Sequence, residues 1–194
     1  MEHMRQKRTA ENITALRIWV PHPGRAAMQT YICNQTKIPK ERWRYGFRAS
    51  AKTGCGWVAV YNALIQLGES PLPETIIDAL EHQLPLINGN FGTNVLSPAM
   101  LLKKWGYDVT LCSDVAKFDQ MCRMSDAGIL FYYWRKGARI GSHFVCVTAR
   151  EDGFYGYNTF SNSHGEDFYG ESLGAFLRDQ KNFGCVLTCI RRPK

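Results

Sequence analysis

Apolar residues recur at helical spacing in the first half of the chain. The run CGWVAVYNALIQLG at 55–68 is apolar on nearly every side and ends at Gly68, which predicts a helix through the core. The segment PLPETIIDALEHQL at 71–84 predicts an amphipathic helix, with Pro73 where a first helical turn accepts it. Positions 15–52 mix short apolar groups with proline and basic residues, and no element is assigned to them.

Shorter elements are predicted before residue 126. The glycine and asparagine content of NGNFGTN, at 88–94, indicates a loop. In SPAMLLKKWG, at 97–106, we expect Ser97 to cap a short helix, Pro98 to take its first position and Gly106 to end it. Two more segments follow: a predicted strand at 107–112, and a predicted helix at 113–125 that is capped by Ser113 or Asp114.

From residue 127 the pattern changes to runs of aromatic and branched residues. Turn residues in RKGAR and EDG separate the first three runs, which indicates antiparallel strands. The predicted strands lie at 128–137, 142–152, 153–160 and 183–192, with a helix at 171–180 before the last. A helical first half packed on an antiparallel sheet is an α+β fold, with a cleft between the two halves.

The composition bounds the size of the fold. The chain has 194 residues, 45% of them hydrophobic, which suffices for one full core and is short for two. We therefore expect a poorly ordered segment at 1–15 and a single domain at 16–194. No apolar stretch approaches the roughly 20 residues of a spanning helix, and the first residues show no cleavable signal, so a cytoplasmic location is expected.

Charge and cysteine content limit the partners and cofactors. The net charge of +7 lies partly at 37–48 and 190–194 and is interpreted as a solvated basic face, which leaves an acidic partner open. No nucleic-acid module is present, so no nucleic acid is predicted. Seven cysteines, an odd number without a secretion signal, indicate reduced thiols. They form no paired zinc motif, and no glycine loop suits a phosphate, so neither metal nor cofactor is predicted.

Cys55 lies where a thiol can become reactive. It stands between Gly54 and Gly56 at the predicted start of a helix, a position that favours the thiolate. The glycines let the backbone turn sharply and let a substrate carbonyl approach the Cys55 N–H, which can donate to an oxyanion. Taken alone, the residue is also consistent with a small buried cysteine at a helix start.

A partner for the thiol is expected in the hairpin at 142–160. His143 opens a predicted strand, and the next strand brings Asn158 back beside it. Because antiparallel neighbours lie about 5 Å apart, Asn158 can bond a ring nitrogen of His143 and fix its tautomer. Alone, His143 would be a core histidine and Asn158 a turn residue. Together with Cys55 they predict a nucleophile, a base and an orienting residue.

Around these residues the chain resembles a known family. The segments GCGWVAVYNAL, NGNFGTNVLSPAMLLKKWGYDV and SHFVCVTAREDGFYGYNTF are similar to the papain-like cysteine peptidases that process bacteriocin leaders at a double glycine. The likeness covers about residues 50–160. It implies a papain-like fold in which the nucleophile helix packs on an antiparallel sheet, with Cys55 as nucleophile, His143 as general base and acid, and Asn158 as orienting residue.

One position departs from the family pattern. Papain-like enzymes usually carry a glutamine six residues before the nucleophile as the second oxyanion donor, and this chain has Ala49 there. The candidate replacements are the Ser50 hydroxyl, the Lys52 ammonium and a backbone N–H of the loop. Losing one oxyanion donor costs about 100- to 1000-fold in kcat. If no other group takes the place of the glutamine, the enzyme would be slow or inactive.

The resemblance implies a cysteine peptidase or amidase that cleaves peptide or protein substrates through a thioester acyl-enzyme. Another acceptor would make the protein an acyltransferase, and a side-chain amide substrate would make it a deamidase. Two other classes stay open. A papain-like scaffold without catalysis would act as a binding protein. The presence of Ala49 in place of the oxyanion glutamine supports this class. A basic binding module would hold acidic partners independently of Cys55, with a steep salt dependence.

Overall fold

The computed structural model describes residues 30–83 and 92–193. The helices are α1 (Ser50–Thr53), α2 (Cys55–Gln66), α3 (Pro73–Glu81), α4 (Ser97–Lys104), α5 (Phe118–Arg123) and α6 (Leu173–Asp179), with 3₁₀ helices at Gln35–Lys37 and Val115–Lys117. The strands are β1 (Arg44–Tyr45), β2 (Arg48–Ala49), β3 (Asp108–Cys112), β4 (Ala127–Lys136), β5 (Arg139–Arg150), β6 (Gly153–Tyr157), β7 (Glu166–Gly170) and β8 (Cys185–Arg191). The segment predicted at 1–15, and positions 88–91 of the predicted loop, lie outside the described residues.

Strands β3 to β8 form one antiparallel sheet in the order β3-β8-β4-β5-β6-β7. The long pair β4 and β5 lies at its centre, where Phe131 is opposite Phe144 and Tyr132 is opposite His143. Strands β1 and β2 form a separate two-stranded ribbon just before α1. The sequence did not predict this ribbon, or β7 at the edge of the large sheet.

The central strands are covered on both faces. Because successive strand residues alternate between the faces, Phe131 and Phe144 belong to the apolar cluster that contains α2, α3 and α4. Tyr132 and Val145 belong to the cluster that contains α5 and α6. The predicted α+β class, with the Cys55 helix packed on an antiparallel sheet, is confirmed. The cover of α5 and α6 on the opposite face explains why the segments 127–132 of β4 and 144–147 of β5 are buried at every position.

The end of α2 agrees with the prediction, whereas the start of α4 does not. Helix α2 is buried from Gly56 to Leu64 and is followed by Gly68 at φ 80°, as expected. In α4, however, the N-cap is Leu96, and Ser97 is already helical. Ser97 does not cap the helix, because its hydroxyl instead donates to the Gln83 carbonyl at 3.4 Å.

Several chain-wide features bear on function. Among the helices of the described residues, none has the length and apolar character of a membrane span. All seven cysteines lie in the described part of the chain and are free thiols. Within residues 30–83 and 92–193, no group of three or more metal-binding side chains could hold a metal ion.

Candidate active site

Cys55 is the first residue of α2, and the residue as a whole is partly exposed. The residue before it, Gly54, has φ −86° and ψ 3°, which needs no glycine. A Cβ atom there would instead lie 2.5 Å from Trp57 Nε1 and 2.6 Å from the Ser50 carbonyl oxygen. Close packing of α1 against α2, rather than the sharp turn we expected, therefore requires a glycine before the thiol.

Gly56, on the other side of Cys55, is fixed by a different neighbour. A Cβ atom at this position would lie 2.1 Å from Oγ1 of Thr93, which is itself buried. The Gly-Thr segment at 92–93 thus packs directly on the first turn of α2. The two glycines allow α1 and the 92–93 segment to converge on the end of the helix that carries the thiol.

Two opposing effects act on the Cys55 thiol. Burial raises its pKa, and the backbone N–H groups of Phe144, Gly56 and Cys55 itself lower it by a smaller amount. The net direction is upward, so the neutral thiol is favoured in the free protein. The same N–H groups would nevertheless stabilise negative charge that develops beside the sulfur.

His143 lies on β5, one residue before Phe144, and its ring meets the Tyr132 ring edge to face at 6.3 Å between centroids. Its Nε2 lies 2.6 Å from the backbone carbonyl oxygen of Asn158. A carbonyl only accepts hydrogen bonds, so Nε2 carries the proton and Nδ1 of the neutral ring keeps its lone pair. Burial lowers the pKa of His143, and the bond to Asn158 opposes this only in part.

Asn158 follows β6 directly and is 2% exposed. Its φ of 67° lies in the left-handed region, which asparagine tolerates better than most residues. The carbonyl faces His143, whereas the side chain turns to Gln35. Its Oδ1 accepts from the Gln35 backbone N–H at 2.7 Å, and its Nδ2 donates to Gln35 Oε1 at 2.9 Å. Asn158 contacts His143 as predicted, but the predicted side-chain contact is not formed.

Gln35 was missed at the sequence level. It is buried in a 3₁₀ helix, holds the Asn158 amide through two hydrogen bonds, and extends Nε2 towards the Ala51 carbonyl of α1 at 3.4 Å. It therefore links the residue beside His143 to the helix that precedes Cys55. No local pattern marks this role, because the family motif places its glutamine at position 49 and Gln35 comes from a stretch without predicted structure.

The structure brings the predicted residues to one region of the sheet. Cys55 lies near the N–H of Phe144, the neighbour of His143, and close enough to Tyr132 that a thiolate there would raise the tyrosine pKa. The hydrogen bond recorded for the His143 ring goes to Asn158 rather than to the sulfur. The three predicted residues thus meet around His143 and Phe144, inside β5 rather than at its opening as expected, without a direct thiol–imidazole bond.

The two oxyanion candidates from α1 differ in position. Ser50 is fully buried, and its hydroxyl oxygen accepts from Trp57 Nε1 at 3.1 Å. It supports the Trp57 side chain inside the core, so a substrate carbonyl cannot reach it without rearrangement. The expectation for Ser50 is therefore corrected. Lys52 is exposed on α1 and stays a candidate.

A cavity of about 630 Å³ opens beside the candidate site. It is lined by His143, Asn158, Tyr132 and Gln35, and by residues of the β4–β5 hairpin and of the segment after α6. Cys55 does not line it. This cavity therefore lies on the imidazole side of the site.

Known proteins resemble the chain at the level of structure only. No protein-family model matches the chain, and no curated protein matches it. Among solved structures, it is similar to a crystal structure of a double glycine motif protease from an AMS/PCAT transporter in complex with the leader peptide. The sequence identity is 10%, the TM-score is 0.47, and the alignment covers 72% of this chain and 84% of the other. Family membership does not follow from these values.

Proposed function

We propose that the protein is a cysteine hydrolase of peptide or amide bonds, with Cys55 as nucleophile and His143 as base and acid. The observation that carries the proposal is the 2.6 Å bond from His143 Nε2 to the Asn158 carbonyl. This bond leaves Nδ1 of His143 as a proton acceptor. The next residue along β5, Phe144, has its N–H near the Cys55 sulfur. The motifs around these residues, which resemble papain-like peptidases, support the same assignment.

In the proposed reaction, the Cys55 S–H proton passes to His143 Nδ1 as the sulfur attacks the substrate carbonyl carbon. The oxygen becomes negative and accepts hydrogen bonds from the N–H groups of Cys55 and Gly56 at the start of α2. The C–N bond then breaks, the leaving nitrogen takes the proton from His143, and a thioester remains. Water attacks the thioester and gives its proton to His143, which returns it to the sulfur as the acid leaves.

Gln35 and Asn158 are proposed as positioning residues in this scheme. Neither transfers a proton. The Asn158 carbonyl fixes the tautomer and orientation of His143, and the paired hydrogen bonds with Gln35 hold that carbonyl in place. The same acyl-enzyme would serve an acyltransferase or a deamidase, because those reactions differ only in the acceptor or in the amide that is attacked.

A binding protein without catalysis is the second candidate function. It is favoured by the raised pKa of Cys55 and by the His143 ring bond, which goes to Asn158 and not to the thiol. In that case the fold would present a peptide-binding surface, and the neutral thiol would be an unreactive part of it.

The deciding experiment uses a pool of N-terminally acetylated peptides of randomised sequence. Because every amino terminus is blocked, new amino termini detected by mass spectrometry report cleavage. The wild-type protein is compared with Cys55→Ala, His143→Ala and the matched control Cys33→Ala, which removes another partly exposed thiol. Thermal unfolding verifies that each variant is folded.

We expect cleavage by the wild type and by Cys33→Ala, and a loss of at least about 100-fold in Cys55→Ala and in His143→Ala. Cleavage that persists in Cys55→Ala would refute the proposal. Peptide binding by the wild type without any new amino terminus would establish the second candidate instead.

A further inference from the structure

The cavity beside His143 lies on the side of the site where the proposed reaction releases the leaving group. Its lining includes His143, Asn158 and Tyr132 but not Cys55. His143 delivers a proton to the leaving nitrogen in the proposed scheme, so the leaving part of the substrate lies on the imidazole side. The peptide segment after the scissile bond would therefore extend into this cavity.

The charges that line the cavity are unbalanced. Two lysines, Lys136 and Lys181, line it together with one acidic residue, Asp179, whereas the guanidinium of Arg135, which also lines it, lies over the Phe183 ring. Neither lysine takes part in the ion pairs formed among residues 30–83 and 92–193. A concave surface lined by excess charge of one sign concentrates ligands of the opposite sign.

Lys136 also faces a like charge within the sheet. The register of β4 and β5 places it directly opposite Arg139, and like charges in that arrangement destabilise a strand pair. By strand alternation, Lys136 shares a sheet face with Tyr132 and Trp134, which both line the cavity. A carboxylate bound there would relieve the repulsion.

An apolar surface accompanies these charges. The half-buried Trp134 lies against Gly141 on β5, where a Cβ atom would come within 2.4 Å of the indole ring. The glycine thus lets the ring lie flat across the hairpin. Such a ring suits the methylene groups of a glutamate whose carboxylate reaches a lysine.

We propose that this cavity binds acidic side chains in the substrate segment that follows the scissile bond. The direction of the segment depends on the proposed function, whereas the affinity for acidic side chains depends only on the cavity and its charges. Two separate measurements test these two parts.

The cleavage measurement reads the residues after the scissile bond from the new amino termini of the acetylated pool. In the wild type we expect Asp and Glu to exceed Asn and Gln by roughly tenfold at one or more of these positions. The preference is expected to vanish in Lys136→Gln/Lys181→Gln. It should persist in Lys103→Gln/Lys104→Gln, a control that removes the same charge from the exposed end of α4.

The binding measurement uses Cys55→Ala, so that no turnover intervenes. Fluorescence anisotropy compares a labelled glutamate-rich peptide with its glutamine twin at low and high NaCl concentration. We expect the glutamate peptide to bind roughly tenfold more tightly at low salt, and the difference to shrink as salt screens the charges. The Lys136→Gln/Lys181→Gln change is expected to abolish the difference, and the control double variant to preserve it.

Failure of the inference is distinguishable from failure of the proposed function. If the pool is cleaved without acidic preference, the inference falls and the hydrolase stands. If the pool is not cleaved, the hydrolase falls and the binding measurement decides the inference alone. Equal binding of the twin peptides, an equal loss in both double variants, or tighter binding of a single-stranded oligonucleotide at the same lysines would each overturn the inference.

Discussion

The Nε2 atom of His143 lies 2.6 Å from the main-chain carbonyl of Asn158, while the Asn158 side chain is bonded to Gln35. The orienting contact therefore depends on the φ of 67° at Asn158 rather than on its amide. Residues held in this region recur at functional sites, where the surrounding structure maintains them. Here the paired bonds with Gln35 provide that support.

Substitution of Asn158 tests whether the main chain orients His143. Glycine accepts a positive φ, so Asn158→Gly should add no backbone strain, but it loses the bonds to Gln35, which leaves the carbonyl less firmly held and costs about 1–2 kcal/mol of unfolding free energy. Asn158→Ala adds backbone strain and should lose about 2–4 kcal/mol, with cleavage falling at least about tenfold below that of Asn158→Gly. Denaturant unfolding and peptide cleavage measure both. Equal activity in the two variants would show that the φ angle does not matter.

Gln35→Met tests the positioning role of Gln35. Methionine fills a similar volume without a side-chain acceptor, so the buried Asn158 Nδ2 loses its bond to Oε1, while the backbone N–H at position 35 still donates to Oδ1. Stability should fall by about 1–3 kcal/mol. Cleavage should fall as well, and the acid limb of its pH profile should move, because the carbonyl bonded to His143 is less fixed. The control is Gln120→Met on the exposed side of α5. A stability loss with an unchanged pH profile would leave Gln35 a structural residue only.

The pH dependence of Cys55 alkylation follows from the directions of the two pKa values. The Cys55 pKa is raised by burial, so its reaction with iodoacetamide should increase at a higher pH than that of an ordinary thiol, whose pKa is about 8.5. The His143 pKa is lowered, so the ring is neutral at pH 7 and supplies no cation to hold a thiolate. Site-resolved mass spectrometry gives the rate for each cysteine. A reactive plateau below pH 7 that vanishes in His143→Ala would instead reveal a preformed thiolate–imidazolium pair.

Gly56→Ala tests the packing of Thr93 on the start of α2. The added Cβ would meet Thr93 Oγ1 at 2.1 Å, so we expect a loss of about 1–3 kcal/mol of unfolding free energy. Gly165→Ala is the matched control, since a Cβ atom there meets nothing within 4 Å. It should change stability by less than about 1 kcal/mol. Equal stability of the two variants would show that the 92–93 segment yields without cost.

Part of this architecture can be predicted from local sequence. The apolar run at 55–68 specifies a buried helix that begins at Cys55, and the aromatic and branched runs after residue 127 specify strands. Both follow from local composition, because a long apolar run that ends at a glycine favours a buried helix, and aromatic and branched runs between turn residues favour strands. His143 lies on β5 and Asn158 directly follows β6. The short turn between these two strands brings the two residues together.

The remaining features depend on contacts between distant parts of the chain. The bonds between Gln35 and Asn158, the burial of Ser50 under Trp57 and the approach of Thr93 to Gly56 join segments that have no shared periodicity. Burial also decides the pKa directions of Cys55 and His143, because desolvation depends on how much protein surrounds a group and not on its sequence neighbours. The sequence alone thus determined the helix that begins at Cys55 and the hairpin that packs on it. Only tertiary packing decided which atoms orient the histidine and which form of the thiol prevails.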